Sequence, residues 1–278
     1  MLTKSNKRLF PVGIGAWDIS SQLNPDSTDP NYGGVEPLRG NEESEIEAIR
    51  YSISRGQNHI DCAEIYGGFY TDEVIGRAIA GLQREDLYLG DKLWKNSVGA
   101  GKVRPTVKAM LKKLGTNYLD MLYIHAPWDD VDWSTAISQI DDLIDEGLVR
   151  HFGVSNFTLE DMVKANALAR HSLSANQVNY NVLHKDEVSP DFRGYCNYNQ
   201  IQLIAYQPIK RQEVLHNTII QKIALDHASS AAQIALAWLI QDGALPIPKS
   251  TNKQHIDENV DAVNVLLTKD EIELLNSI

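Results

Sequence analysis

The chain has 278 residues, 43% of them hydrophobic, enough for one large core or two modest ones. Its 37 acidic residues outweigh 26 basic ones, a formal net charge of −11 that argues against nucleic-acid or membrane partners held through the overall field. Two cysteines, Cys62 and Cys196, stand far apart with no CxxC between them, so neither a disulfide framework nor a zinc site is suggested. With no N-terminal signal pattern and no apolar run long enough to cross a bilayer, the expectation is a cytoplasmic protein.

In chain order, the first strand-like run is PVGIGA (11–16), followed by a helical pattern on Ile46, Ile49 and Ile53 that ends at Gly56. NHIDC (58–62) and DLYLGDK (86–92) come next, and then Val103, Val107, Met110, Leu111 and Leu114 recur at helical spacing before Gly115. LDMLYIH (119–125) precedes a helix on Ile137, Ile140 and Ile144 that stops at Gly147. VRHFGVS (149–155), SANQVN (174–179), IQLIAY (201–206) and ALPIP (244–248) complete the strands, and a last helix spans 268–277. Each of the three glycines falls where a helix end needs positive φ. Eight strand–helix units without a linker predict one α/β domain over residues 1–278, a (β/α)₈ TIM barrel. Residues 20–41, dense in Pro, Gly, Asn, Asp and Ser, predict a long loop between the first strand and first helix, on the C-terminal face.

The stretch DCAEIYGG (61–68) ends an apolar strand on an aspartate and sets a tyrosine five residues later. Polar residues also close the other strands: Lys92, His125, Ser155 with Asn156, Gln177, Tyr206, and Lys249 with Ser250. A barrel builds its site at that end. Singly each has a plainer reading: Asp61 as a helix cap, Lys92 as a snorkelling strand end, His125 as a packing residue. Together they suit proton donation to a carbonyl oxygen. A free phenol, with a pKa of about 10, is a poor donor near neutrality. An ammonium about 4 Å away, at an effective dielectric of about 20, stabilises the phenolate by roughly 4 kcal/mol. That is on the order of three pKa units. Asp61 would keep Lys92 charged, and a neutral His125 would hold and polarise the carbonyl.

The sequence resembles the aldo-keto reductases through GIGAW (13–17), DCAEIYG (61–67), DKLW (91–94), YIHAP (123–127), FGVSNF (152–157), NQVNYN (176–181), AYQPI (205–209) and IPKS (247–250), with EN at 258–259. The resemblance implies that Asp61, Tyr66, Lys92 and His125 form a catalytic tetrad, with Tyr66 the proton donor in the reduction of an aldehyde or ketone. It implies that Ser155, Asn156 and Gln177 bind a nicotinamide carboxamide and that Tyr206 stacks on the ring. Lys249, Ser250, Glu258 and Asn259 would surround the adenosine phosphate and adenine of NADPH. Trp17, Trp94 and Trp128 match substrate-pocket positions, although indoles there could equally fill the rim of the core. A non-catalytic NADPH-binding regulatory subunit of the same fold is the alternative. A monomer or weak dimer is expected, with a small carbonyl compound as its partner.

Two departures stand out. Asp91 replaces the usual Ser or Thr before the lysine; strand alternation should turn it away from the barrel interior, with little effect on chemistry. His255 replaces an arginine at the adenosine phosphate, which leaves NADH possible beside NADPH. Gly13-Ile14-Gly15 lacks the third glycine of a dinucleotide fingerprint, and Gly99-Ala100-Gly101-Lys102 lacks the upstream glycine and the Ser/Thr of a P-loop. His59, Asp61 and His125 make no paired ligand motif, so no metal is expected.

Overall fold

The structure, a computed structural model, describes residues 7–24 and 35–278. Eight parallel strands form one sheet, the arrangement of a (β/α)₈ barrel: β1 (Ile14–Gly15), β4 (His59–Asp61), β5 (Tyr88–Leu93), β6 (Leu119–Ile124), β7 (Val149–Ser155), β8 (Ala175–Asn179), β9 (Gln202–Tyr206) and β10 (Leu245–Pro246), paired in that order. Helices α1 (Glu42–Ser54), α2 (Tyr70–Ile79), α3 (Val103–Leu114), α4 (Ser134–Asp145), α5 (Leu159–Leu168) and α6 (Pro190–Tyr198) follow the first six of them in turn. Two helices, α7 (Thr218–Asp226) and α8 (Ala231–Gln241), follow β9, while α9 (Lys253–Asp261) and α10 (Lys269–Asn276) end the chain. Asn217 caps α7, and Ser230 with Gln233 forms a capping box on α8, so two start signals separate helices that composition alone runs together. Gly56, Gly115 and Gly147 have φ of 102°, 66° and 76°, as helix ends there require. Trp238 is buried in α8. Among the described residues no single helix is long and apolar enough to cross a membrane.

The first and last strands are far shorter than their apolar runs, and proline is the reason. Pro246 and Pro248 have no N–H to donate. The two ends of the sheet still meet: the Gly13 and Gly15 amides donate to the Pro246 and Pro248 carbonyls at 2.9 and 3.1 Å. The seam is thus bonded in one direction only. Its closeness explains the GIG sequence, because a Cβ on Gly15 would come within 2.5 Å of the Ile247 carbonyl oxygen. These glycines close a barrel.

Side chains of one strand parity point inwards. Tyr123 fills the middle of the barrel because Gly90 and Gly153 flank it; a Cβ on Gly153 would lie 2.6 Å from the Tyr123 ring. Two residues further along β5, the same parity carries Lys92 inwards.

The long loop expected at 20–41 is not wholly irregular. Ser21–Leu23 (β2) and Val35–Pro37 (β3) pair antiparallel, with Ser21 opposite Pro37, and the segment between Asn24 and Val35 lies outside the described residues. The hairpin base rests on the turn after Tyr66: a Cβ on Gly67 would sit 3.0 Å from the Pro37 Cα. Thr71 anchors it further by donating to the Ile19 carbonyl at 2.6 Å.

Gly15→Ala should lower stability by about 1–3 kcal/mol, since backbone cannot step aside as a side chain can. Gly194→Ala, inside α6 with open space around it, should instead be neutral or stabilising by up to about 1 kcal/mol. Denaturant midpoints of the two variants would check both.

Candidate active site

Four side chains from three strands and one turn converge at the C-terminal end of the barrel. Lys92 brings its ammonium up the inside, where Nζ donates to Asp61 Oδ2 at 2.7 Å and to the Cys62 carbonyl at 2.6 Å. It lies 3.4 Å from the Tyr66 hydroxyl and 5.1 Å from the centre of that ring. Asp61 is held from its other side by Gln177, whose Nε2 donates to Oδ1 at 2.8 Å. Tyr66 reaches this point because the chain turns sharply behind it. Gly67, Gly68 and Phe69 all adopt the left-handed region, with φ of 59°, 58° and 68°. Two glycines take that conformation freely, whereas Phe69 holds it at a cost that the surrounding hydrogen bonds offset. His125 approaches edge-on, with its ring centre 6.4 Å from that of Tyr66 and 4.9 Å from that of Trp94.

The electrostatics correct one sequence expectation. Burial raises the Tyr66 phenol above its ordinary value; Lys92 works against that, and Asp61 adds to it. The cation therefore does not bring the phenol below its ordinary value, because burial outweighs it and the carboxylate that anchors it adds to the rise. For Lys92 itself burial pulls downwards, but Asp61 and Tyr66 outweigh it and the ammonium stays charged. Burial, helped by the charge on Lys92, holds His125 well below the usual histidine range, so its imidazole is neutral.

A cleft of about 630 Å³ runs from this cluster to the start of α9. Its walls include Asp61, Tyr66, His125, Ser155, Asn156, Gln177, Tyr206, Lys249, Ser250, His255, Glu258 and Asn259, which gathers in one place nearly every site residue read from the sequence. Lys92 lies beneath them, buried. Trp17 lines the cleft and packs edge-on to Tyr66 at 5.0 Å, while Trp94 and Trp128 stack edge-to-face at 5.1 Å behind His125 and are not among the cleft residues. Ser155 donates to the Gln177 carbonyl, and the Asn156 side chain donates to Ser155 Oγ and the His125 carbonyl while accepting from the Tyr206 hydroxyl at 2.8 Å. These polar groups are engaged with one another, so a carboxamide would have to exchange for some of those bonds. At the far end Asn252 caps α9 by accepting from the Gln254 and His255 amides, and Lys249 and His255 are exposed there. Sequence reading passed over Asp18 and the Gln207-Pro208-Ile209 wall; the AYQPI motif carried that signal, because those residues directly follow β9.

The aldo/keto reductase family model matches residues 12–278. The chain belongs to that family. It is 31% identical to an aldo/keto reductase of Synechocystis over 96% of this chain and 85% of that one. It is also 31% identical to a methylglyoxal reductase of Escherichia coli, over 84% of each. Its structure superposes on a thermostable aldo-keto reductase crystallised with the inhibitor epalrestat, with a TM-score of 0.90, 30% identity and coverage of 100% and 98%. A Klebsiella pneumoniae aldo-keto reductase in complex with NADPH gives a TM-score of 0.85 at 27% identity, covering 97% of this chain and 90% of the other.

Sequence motifs gave no ligand cluster, but folding makes a compact acidic one in this chain. The donor atoms of Cys62, Asp72 and Asp91 lie within 4.8 Å of one another, all buried. Glu64 is buried nearby and accepts from Ser97 Oγ at 2.9 Å; burial pushes its carboxyl up to about 7. An acid whose folded pKa is raised contributes stability below its unfolded value, near 4.5, and loses it as pH rises through 7. Glu64→Gln should therefore be more stable than wild type at pH 8, by up to roughly 3 kcal/mol, with the difference gone at pH 4. Chemical denaturation at both pH values measures this.

Proposed function

We propose that this chain reduces small aldehydes and ketones with NADPH, and that Tyr66 gives the proton. The observation that carries the reading is the Lys92 ammonium, fixed by Asp61 and the Cys62 carbonyl and within 3.4 Å of the Tyr66 hydroxyl at the floor of an open cleft. A bound NADPH supplies a hydride from C4 of its nicotinamide. The cleft fits such a cofactor by size and donor set, with amide, hydroxyl and aromatic groups at the Tyr66 end and Lys249, His255 and the α9 N-terminus at the other. Ser155, Asn156, Gln177 and Tyr206 would hold the nicotinamide, and Lys249, Ser250, Glu258 and Asn259 the adenosine end.

The side chains have distinct tasks in this reading. His125, neutral, donates to the substrate oxygen and aims the carbonyl carbon. Tyr66 keeps its proton through neutral pH because burial raises its pKa, and releases it as negative charge builds on that oxygen. Lys92 then meets the phenolate charge at close range, in a site where few waters screen it. Asp61 holds Lys92 in register. Relatives named methylglyoxal reductase and glyoxal reductase direct the choice of substrate to compounds with two adjacent carbonyls.

Oxidation of NADPH in the presence of methylglyoxal tests the reading, and no turnover over a panel of aldehydes and ketones would favour a non-catalytic cofactor-binding subunit. Tyr66→Phe should lower kcat by about 10²–10⁴-fold while NADPH still binds, because the hydroxyl serves only the proton step. Near-normal turnover would overturn the assignment.

The cofactor's phosphate supplies a second check. An arginine stays charged and binds phosphate as a fork. His255→Arg should therefore tighten NADPH binding and leave NADH affinity unchanged, as titrations with both cofactors would measure. An equal effect on both would show that His255 does not meet the phosphate.

A further inference from the structure

Carbonyl reduction leaves the acids behind Lys92 unexplained. Asp91 precedes Lys92 on β5, and its side chain points out of the barrel towards α2. There it meets Asp72 from the first turn of α2 and Cys62 from the chain after β4, each at most 2% exposed. Asp91 Oδ1 accepts from the Lys92 amide at 2.7 Å. The other Asp91 oxygen and both oxygens of Asp72 have no partner when both acids are written as carboxylates. Two bare carboxylates this close and this deeply buried repel strongly. One proton removes the conflict, because the protonated acid donates to its neighbour in a charge-assisted bond and the Cys62 thiol adds a second donor.

We propose that Asp72 and Asp91 hold one proton between them, and that this bond makes Asp91 a positioning residue for Lys92, fastening β5 to α2 behind the ammonium. The proposal rests on the reading of Lys92 as the cation that serves Tyr66. Burial is the first cause that raises both acids, Asp72 to about 7 and Asp91 well above the usual carboxylate range; Asp72 raises Asp91 in turn, while the hydrogen bond with Asp91 lowers Asp72. The remaining titratable and charged groups that face the pair are Cys62, Glu64 and Lys92. Loss of the shared proton leaves two negative charges behind the lysine. They push β5 and α2 apart and make the phenol a still weaker acid, so proton donation slows.

The full-length protein with Asp91→Asn and Asp72→Asn provides the test. An asparagine at 91 has the shape of the protonated acid, keeps an oxygen for the Lys92 amide and donates to Asp72. Wild-type kcat with saturating NADPH and methylglyoxal should fall at least about tenfold from pH 7 to pH 10, and Asp91→Asn should lose that alkaline fall without a change in KM. Infrared spectra at neutral pH should show the carbonyl stretch of a protonated acid in wild type. The wild-type minus Asp91→Asn difference isolates it from Glu64, and Asp72→Asn should lose it too, which keeps the test alive if one variant fails to fold. A uniform loss of activity with the alkaline fall intact would mean a merely structural role and overturn the proposal. Absence of the infrared band, or a cobalt–thiolate charge-transfer band on adding Co²⁺ that Asp91→Asn abolishes, would also overturn it. If no carbonyl is reduced at all, the catalytic reading falls, and the infrared difference still decides whether the proton is shared.

Discussion

An ammonium on a long side chain is among the costliest groups to remove from water, and Lys92 has 1% of its surface exposed. What makes that burial tolerable is the pair with Asp61, reinforced by the Cys62 carbonyl and backed by Gln177 on the far carboxylate oxygen. The pair dictates much around it. β4 must end beside the β5 residue that carries the lysine, β8 must present an amide to the same point, and the chain after β4 must turn so that Tyr66 lies over the cation. Removing either charge would leave the other buried and alone, a change that costs several kcal/mol in typical proteins. The site and the upper layer of the barrel are therefore stabilised by the same contacts.

That coupling also explains how the tyrosine is poised. Its pKa is raised because burial outweighs the lysine and the anchoring carboxylate adds to the rise, so the resting phenol holds its proton. In the proposed reaction the lysine matters most once charge appears on the phenol oxygen. Electrostatic preorganisation of this type acts on the product of the proton transfer rather than on the resting acid.

Much of this was legible in the sequence. Apolar runs ending in Asp61, Lys92, His125, Ser155 and Gln177 gave both the strands and the mouth of the barrel, because strand alternation and a C-terminal site impose that pattern. The short strands β1 and β10 were not legible, since their runs look ordinary until the proline amides are counted across the seam. Nor were the buried acids. Glu64 and Asp72 sit in a turn and at a helix start, where acids usually face water, and only the packing of α2 against β5 reveals them as interior. The pKa of Tyr66 was misjudged for a related reason: the spacing shows a cation near the phenol but not how deeply the phenol is buried.

The one-way seam between β1 and β10 has a consequence for ligand binding. Every other strand junction in the sheet is a laddered pairing, whereas here two donated bonds from glycines carry the closure. Gly15 on one side, and Ile247, Pro248 and Lys249 on the other, also line the cleft. A molecule lying in the cleft touches both edges and acts as a clasp. Its binding free energy is added to that of closure, and the gap between the loaded and empty protein should be greatest in the local opening of this one junction. The weakest stitch of the barrel is placed where the ligand can tighten it.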